Sequence, residues 1–184
     1  PKMNVPLVIG IAGGSDLLDG CPKVPRSPSP QLIATAGQAL PTVRWPGRAE
    51  LHRTPAGTFL VDGAHSVQAA RTLRSVLDDL FPGRPVHFLL AFSGDKRVGP
   101  FIKTLVRSGD LISCYQSAHP RSRTAQAALE AMPDTHKKQA AVGDSISKIW
   151  GQKNAEDTVY CVCGSLFWVA DFKKQFNETS FARK

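Results

Sequence analysis

The sequence predicts an α/β fold in which a mainly parallel, Rossmann-like sheet carries helices on both faces and is preceded by a β-hairpin. Short apolar runs rich in strand-forming residues alternate along the chain with stretches whose apolar residues recur at helical spacing. Such alternation is typical of parallel strands joined by crossover helices. Residues 86–92 are almost continuously apolar, as expected for a strand that is covered on both faces.

The hairpin and the first crossover helix are predicted between residues 49 and 83. Two strands are expected at 49–61, because residues 54–57 form a turn-like break between them. The second strand ends at Asp62 and Gly63. A helix is expected to follow, with Ser66 as its N-cap and a stop at residues 81–83.

The later elements are predicted in the same way. Pro100 suits the first turn of a helix, and Gly109 ends that helix. His87 interrupts the strand at 86–92 and is interpreted as a hydrogen-bonded structural histidine. The other predicted elements are strands at 111–115 and 158–163 and helices at 98–106, 125–132, 145–150 and 166–176.

The first 40 residues are expected to be a variable segment or the tail of a preceding domain. Residues 20–30 are rich in proline and serine and indicate a linker, and residues 41–184 are expected to form the α/β domain. Residues 10–15 contain three glycines, but they lack the spacing and the lysine of a phosphate-binding loop, so an ordinary turn is expected. Because the chain begins at Pro1, we expect a fragment or a processed product.

The formal net charge of +8 favours anionic partners such as a nucleoside triphosphate or a polyglutamate tail. The sequence contains no block of lysine and arginine with interleaved aromatic residues, so nucleic acid is not expected as a partner. It also contains no apolar run that could span a membrane and no signal peptide, so no membrane partner is expected.

The four cysteines do not have the spacing of a zinc site. Cys161 and Cys163 lie two residues apart in a predicted strand, so they share one face and cannot easily pair with each other. We therefore expect buried free thiols in a reducing compartment, namely the cytoplasm, or mitochondria in a eukaryote.

The turn between the second strand and the first helix is the first candidate site. In an open parallel sheet, ligands bind at the loops that follow the carboxyl ends of strands. This turn presents the carboxylate of Asp62 and the imidazole of His65 beside backbone N–H groups at a helix start. Such an arrangement suits phosphate or a metal–phosphate group.

The sequence contains four short motifs in this order: W-P-G-R at 45–48, D-G-A-H at 62–65, S-G-D-K at 93–96 and G-S-L at 164–166. Their order and placement resemble the C-terminal domain of folylpolyglutamate synthases and dihydrofolate synthases, which belong with the Mur-type ligases. The resemblance covers roughly residues 41–172. It implies an ATP-dependent amide ligase, in which ATP phosphorylates the carboxylate of a folate and the amino group of glutamate attacks the acyl phosphate.

The resemblance also implies roles for the first two motifs. Arg48 and Asp62 match residues that contact ATP, and His65 matches a catalytic histidine that faces the acyl phosphate and the incoming glutamate. A guanidinium can bind phosphate oxygens in a bidentate manner. The competing structural roles are an arginine that anchors a turn and an aspartate that caps one.

For the later motifs, the resemblance implies binding of glutamate. Lys96 and Arg97 are both cations near the position where some members hold glutamate, and the sequence does not choose between them. Ser165 matches a serine suggested to face glutamate, and it can also cap the last helix.

The family's phosphate-binding loop and Mg²⁺ ligands lie in an N-terminal ATPase domain, and no residue here is predicted to bind metal. The implied partners are ATP, folate, glutamate and that ATPase domain, and the chain alone is expected to be inactive. One alternative is the C-terminal domain of a Mur-type cell-wall ligase, against which the W-P-G-R motif argues. The other is a non-catalytic module that binds nucleotides or anions, which the missing phosphate loop supports.

Overall fold

The computed structural model describes residues 46–150 and 157–178. Trp45, Cys21 and the predicted linker and glycine turn lie outside the described residues. Within the described ranges, no helix is both long and apolar enough to cross a membrane.

Six strands form one sheet in the order β1-β2-β6-β3-β4-β5. β1 runs antiparallel to β2, with Glu50 opposite Val61, and every other neighbouring pair is parallel. This confirms the predicted hairpin followed by a parallel sheet. The strands are β1 (Glu50–Thr54), β2 (Gly57–Val61), β3 (Val86–Leu90), β4 (Leu111–Cys114), β5 (Ala140–Val142) and β6 (Val159–Cys163).

The helices are α1 (Val67–Leu80), α2 (Val98–Leu105), α3 (Ala125–Glu130), α4 (Asp134–Lys137), α5 (Ile146–Trp150) and α6 (Leu166–Asn177). Their positions confirm the predicted helices to within a few residues at each end. The sequence analysis did not predict α4 or β5. Both have at most four residues and expose most of their side chains, so neither carries a periodic apolar signal.

The sheet is covered on both faces, as predicted. Alternate side chains of β2 point in opposite directions, so Leu60 lies in one apolar cluster while Phe59 and Val61 lie in the other. The first cluster packs against α1, α2 and α3, and the second packs against α5 and α6. Because β2 precedes a helix on the first face and β6 precedes a helix on the second, a change of side occurs between these two neighbouring strands.

The described cysteines are free and buried, as predicted. Cys161 and Cys163 both face the first apolar cluster, together with Cys114. Burial raises the pKa of the Cys114 thiol to about 11. Burial also raises the pKa of the Cys163 thiol, so Cys114 and Cys163 are protonated at neutral pH and pack as small apolar side chains.

His87 has the structural role predicted for it. Its Nε2 lies 2.8 Å from the Ser113 hydroxyl oxygen on the neighbouring strand. Burial lowers the pKa of His87, so the neutral imidazole is favoured in the folded chain.

Buried charges join the amino-terminal edge of the sheet to α1. Asp110, which is 3% exposed, accepts hydrogen bonds from the Val86 and Arg107 N–H groups, each at 2.8 Å. Its other contact is the guanidinium of Arg74, 3.3 Å away and itself 6% exposed. Arg74 and Arg107 both bind Asp78 of α1. We call this set the Asp110 network.

Candidate functional site

The carboxyl edge of the parallel sheet brings the described motif residues together. Residues 62–65 follow β2, 93–96 follow β3, and 164–166 follow β6. Arg48 reaches the same edge because β1 is antiparallel and begins opposite the end of β2. Ligands of open α/β sheets bind at this edge, where a change of side opens a crevice.

The Asp62 carboxylate joins its own turn to the residue that follows the W-P-G-R motif. Its Oδ2 accepts a hydrogen bond from the Ala49 N–H at 2.9 Å, and its Oδ1 accepts one from the Ala64 N–H at 2.7 Å. Ala49 adopts a left-handed backbone conformation with φ of 45°, which is uncommon for a residue with a side chain. The bond to Asp62 helps to offset this strain, so the structural role considered for Asp62 is present.

Backbone hydrogen bonds join the motifs W-P-G-R, D-G-A-H and G-S-L. Gly63 donates to the Gly47 carbonyl at 2.7 Å, and Gly164 donates to the Ala64 carbonyl at 2.7 Å. Leu166 packs closely over Gly63, since a Cβ at this glycine would lie 2.2 Å from Leu166 Cδ2 and would require the leucine side chain to move. The D-G-A-H turn is thus enclosed by the other two motifs.

His65 is half-buried beside this junction. Its Nδ1 lies 2.8 Å from the Gly63 carbonyl oxygen, so Nδ1 carries a proton and donates. In the neutral ring, Nε2 is then left as the acceptor atom. This bond fixes the ring orientation without using the nitrogen that can meet a substrate.

Two helices begin at the same edge. The Ser66 hydroxyl caps α1 by accepting from the Ala69 N–H at 3.2 Å. Ser165 is 5% exposed and caps α6 by accepting from the Phe167 N–H at 3.2 Å. Both predicted caps are confirmed, and the positive ends of both helix dipoles lie at the candidate site.

The predicted cations differ in accessibility. Arg48 and Arg97 are exposed, and Lys96 is half-buried. Lys96 forms an ion pair at 3.3 Å with its neighbour Asp95, and this lysine lowers the pKa of Asp95. The structure places Lys96 and Arg97 after β3, at the same edge as Ser165 after β6.

Asp62 sits in an electrostatically mixed setting. Burial raises the pKa of its carboxyl, while the N–H groups of Ala49 and Ala64 and the charges of Arg48 and His65 act in the opposite direction. Among the residues that the structure describes, no group of three or more acidic, histidine or cysteine side chains could hold a metal ion.

The loop after β4 also lies at this edge, although the sequence predicted no site residue in it. The ring of His119 stacks on the partly exposed ring of Phe167, with centroids 3.6 Å apart. The Arg121 guanidinium carbon lies 5.9 Å from the Phe167 centroid. The sequence signal that could have placed this loop in the candidate site was its position, since it also follows the carboxyl end of a parallel strand.

Comparison with known proteins gives matches over this same region. The family model described as "Dihydrofolate synthetase, C-terminal domain" matches residues 48–175. A curated relative from Bacillus subtilis, dihydrofolate synthase/folylpolyglutamate synthase, is 24% identical over 131 residues, which cover 71% of this chain and 30% of that protein. The chain spans about a third of the length of the curated relatives it matches.

Solved structures of similar proteins share the fold. E. coli FolC in complex with DHPP and ADP has a TM-score of 0.63 and 24% identity, covering 87% of this chain and 36% of that chain. A bifunctional folylpolyglutamate synthase/dihydrofolate synthase with Mn, AMPPNP and L-glutamate bound also has a TM-score of 0.63 and 24% identity. That match covers 83% of this chain and 36% of the other.

Proposed function

Because this chain belongs to the family of dihydrofolate synthetase C-terminal domains, we propose that it is the C-terminal domain of an ATP-dependent ligase that adds glutamate to a folate. The domain comprises residues 41–184, and residues 1–40 are a variable segment or the tail of a preceding domain. An ATPase domain of the same polypeptide supplies the phosphate-binding loop. The relatives whose complexes contain ADP, AMPPNP and L-glutamate support this choice of substrates.

The proposed reaction has two steps. A carboxylate oxygen of the folate attacks the γ-phosphorus of ATP, which breaks the bond to ADP and forms an acyl phosphate. The amino group of glutamate then attacks the acyl carbon, the carbon–oxygen bond to phosphate breaks, and an amide forms as the amine loses its proton. Such chemistry needs cations beside the transferring phosphoryl group and fixed positions for both carboxylate substrates.

The residues after β2 and before β1 are assigned to ATP and to the acyl phosphate. Arg48 provides an exposed guanidinium that can bind phosphate oxygens. Asp62 acts by holding this loop through Ala49 and Ala64 and by contacting the nucleotide. His65, whose Nδ1 is occupied by Gly63, presents Nε2 to the acyl phosphate and the approaching amine.

The residues after β3 and β6 are assigned to glutamate. Lys96 and Arg97 supply positive charge for its carboxylates, and Ser165 offers a hydroxyl at the start of α6. Mg²⁺, when bound, would supply positive charge that stabilises the transferring phosphoryl group. Because the described residues contain no metal ligand set, we assign its protein ligands to the ATPase domain.

The single observation that carries the proposal is the junction at Asp62 and Gly63. One carboxylate and two short backbone bonds hold three motifs together, although more than a hundred residues separate the first of these motifs from the last. An arrangement that only stabilised the fold would not require exposed cations and an oriented histidine at the ligand-binding edge.

The test is steady-state ligation by the longer polypeptide in which this domain follows its ATPase domain. We expect ADP release that depends on both folate and glutamate, and we expect none from the 184-residue chain alone. Arg48→Ala should lower kcat/KM for ATP by roughly tenfold to a hundredfold, the effect of losing one charge-assisted bond.

Arg53→Ala is the matched control, because Arg53 is exposed on β1 near the opposite edge of the sheet. The control should retain the kinetics of the wild type. Wild-type kinetics for Arg48→Ala, or ADP release that is independent of glutamate, would contradict the proposal.

A further inference from the structure

The turn at residues 93–96 is held by the loop that follows β4. The Gly94 N–H donates to the Arg121 carbonyl at 2.9 Å, and the Arg123 N–H donates to the Phe92 carbonyl at 2.8 Å. Ser93 and Ser122 face each other as an isolated antiparallel bridge. The two loops therefore form a short ribbon at the carboxyl edge of the sheet.

The side chain of Arg123 completes this ribbon. Its Nη2 donates to the Gly94 carbonyl at 2.8 Å. Both backbone polar groups of Gly94 are thus bonded to the same loop, one through the main chain and one through a guanidinium. We call the guanidinium contact the Arg123 clamp.

The clamp is anchored on its own side. The Ser122 hydroxyl oxygen accepts from the Ser117 N–H at 3.0 Å, and Thr124 caps α3 by accepting from the Ala127 N–H at 3.1 Å. Arg123 lies between these two fixed points, so its backbone is held from both sides. Its Nε is buried and has no hydrogen-bond partner in the part of the chain that the structure describes.

A buried donor without a partner destabilises the fold. The Arg123 guanidinium bonds the turn through Nη2, while its Nε is buried without a partner among the described residues. A side chain that served stability alone would gain more by placing Nε in water. The geometry indicates that the bond to Gly94 determines where this side chain lies.

Resting on the function proposed above, we propose that Arg123 is a positioning residue for glutamate binding. Lys96 and Arg97 follow the clamped turn directly, and the Lys96 N–H donates to the Ser93 carbonyl at 3.1 Å within it. The conformation of the turn fixes the directions in which these two cations leave the backbone. Arg123 acts through the turn and does not itself contact glutamate.

The experiment combines kinetics of the full ligase with amide exchange of the 184-residue chain. In the ligase, Arg123→Ala should raise KM for glutamate about tenfold and leave KM for ATP within about twofold. Arg123→Lys retains a cation that can reach one carbonyl, so it should give an intermediate KM for glutamate. In the isolated chain, Arg123→Ala should speed hydrogen exchange at the Gly94 amide, and Arg53→Ala should leave that rate unchanged.

Three other outcomes would overturn this inference, and they differ in how much of the proposed function they leave standing. If Lys96→Ala and Arg97→Ala raise KM for glutamate while Arg123→Ala leaves it unchanged, the positioning role is wrong and the function stands. Equal increases of KM for glutamate and ATP in Arg123→Ala would also overturn the positioning role. If none of the three variants changes KM for glutamate, this loop does not bind glutamate and the inference is wrong together with that part of the proposed function.

Discussion

The two edges of the sheet use charged residues in opposite ways. At the amino-terminal edge, the Asp110 network buries its central charges, and each of its members has an ionic partner. At the carboxyl edge, Arg48 and Arg97 are exposed, while Asp62 uses its charge to hold backbone N–H groups. The central charges of the first edge are buried and paired, whereas two guanidinium groups of the second edge are exposed.

This contrast separates stability from ligand binding at the level of single residues. A buried charge that loses its partner carries an uncompensated desolvation cost, so a substitution in the Asp110 network should reduce stability strongly. An exposed arginine contributes little to stability. Substitutions at the two edges should therefore differ in which property they change.

The largest effect is expected for Asp110→Ala. This change leaves Arg74 buried with a weakened set of partners and removes the acceptor for the Val86 and Arg107 N–H groups. The free energy of unfolding should fall by about 3 to 5 kcal/mol in urea titrations of the chain. Asp157→Ala is the control, because its exposed carboxylate lies 4.0 Å from Arg84 and contributes little to stability. A loss below about 1 kcal/mol in the free energy of unfolding of Asp110→Ala would refute this explanation of the network.

Gly63→Ala should have the next largest effect. A new Cβ would lie 2.2 Å from Leu166 Cδ2 and 3.1 Å from its Cγ, so the Leu166 side chain must leave its present rotamer or the D-G-A-H turn must shift. We expect a loss of about 1 to 3 kcal/mol in the free energy of unfolding. Gly99→Ala is a suitable control because its nearest contact would be an ordinary 3.7 Å; an equal loss in both variants would remove the steric explanation.

Stability and ligand binding should also separate within the carboxyl edge, between the variants Asp62→Ala and Arg48→Ala. Asp62→Ala leaves the N–H groups of Ala49 and Ala64 without their acceptor and should cost about 1 to 3 kcal/mol of stability. Arg48→Ala should change stability by less than about 0.5 kcal/mol. Thermal unfolding of the two variants tests this, and a greater loss for Arg48→Ala would reverse the assignment.

The smallest effect concerns pH. Burial lowers the pKa of His87 below its ordinary value of 6.5, so the unfolded chain binds a proton more readily than the folded chain does. The contribution of His87 to stability is therefore full above pH 6.5 and is lost as the pH falls through that value towards the lower pKa of the folded state. His87→Gln keeps a hydrogen-bonding side chain beside Ser113 and should flatten the dependence of the melting temperature on pH between about 7.5 and 5. If the melting temperature of His87→Gln depends on pH as steeply as that of the wild type, His87 does not contribute to the pH dependence of stability.

The order of strands and helices could be predicted because each buried strand and each amphipathic helix carries its own periodic signal. The run at 86–92 and the N-caps Ser66 and Ser165 are local features, and the structure confirms them. β5 and α4 were missed because three or four exposed residues carry too little pattern. Their positions depend on packing against neighbours that the sequence does not identify.

The candidate site could be predicted only as a set of loops at one edge. Local rules identified Asp62 as a residue that could hold a turn, and the structure gives it a second partner, Ala49, from a loop 13 residues away. The clamp between Arg123 and Gly94 joins residues 29 positions apart. Such contacts arise from the register of the sheet, so sequence spacing could not reveal them.

We propose that the carboxyl edge presents separate groups to ATP and to glutamate. The most direct measurement is a pair of steady-state titrations, one of glutamate and one of ATP, on the His65→Ala variant of the full ligase. We expect kcat/KM for glutamate to fall by at least about tenfold while KM for ATP and the melting temperature stay near wild type. The reason is the proposed role of His65, whose Nδ1 is bonded to Gly63 and whose Nε2 is assigned to the acyl phosphate and the amine. An unchanged kcat/KM for glutamate would contradict this proposal. A KM for ATP that rises by the same factor as the KM for glutamate, at an unchanged melting temperature, would also contradict it.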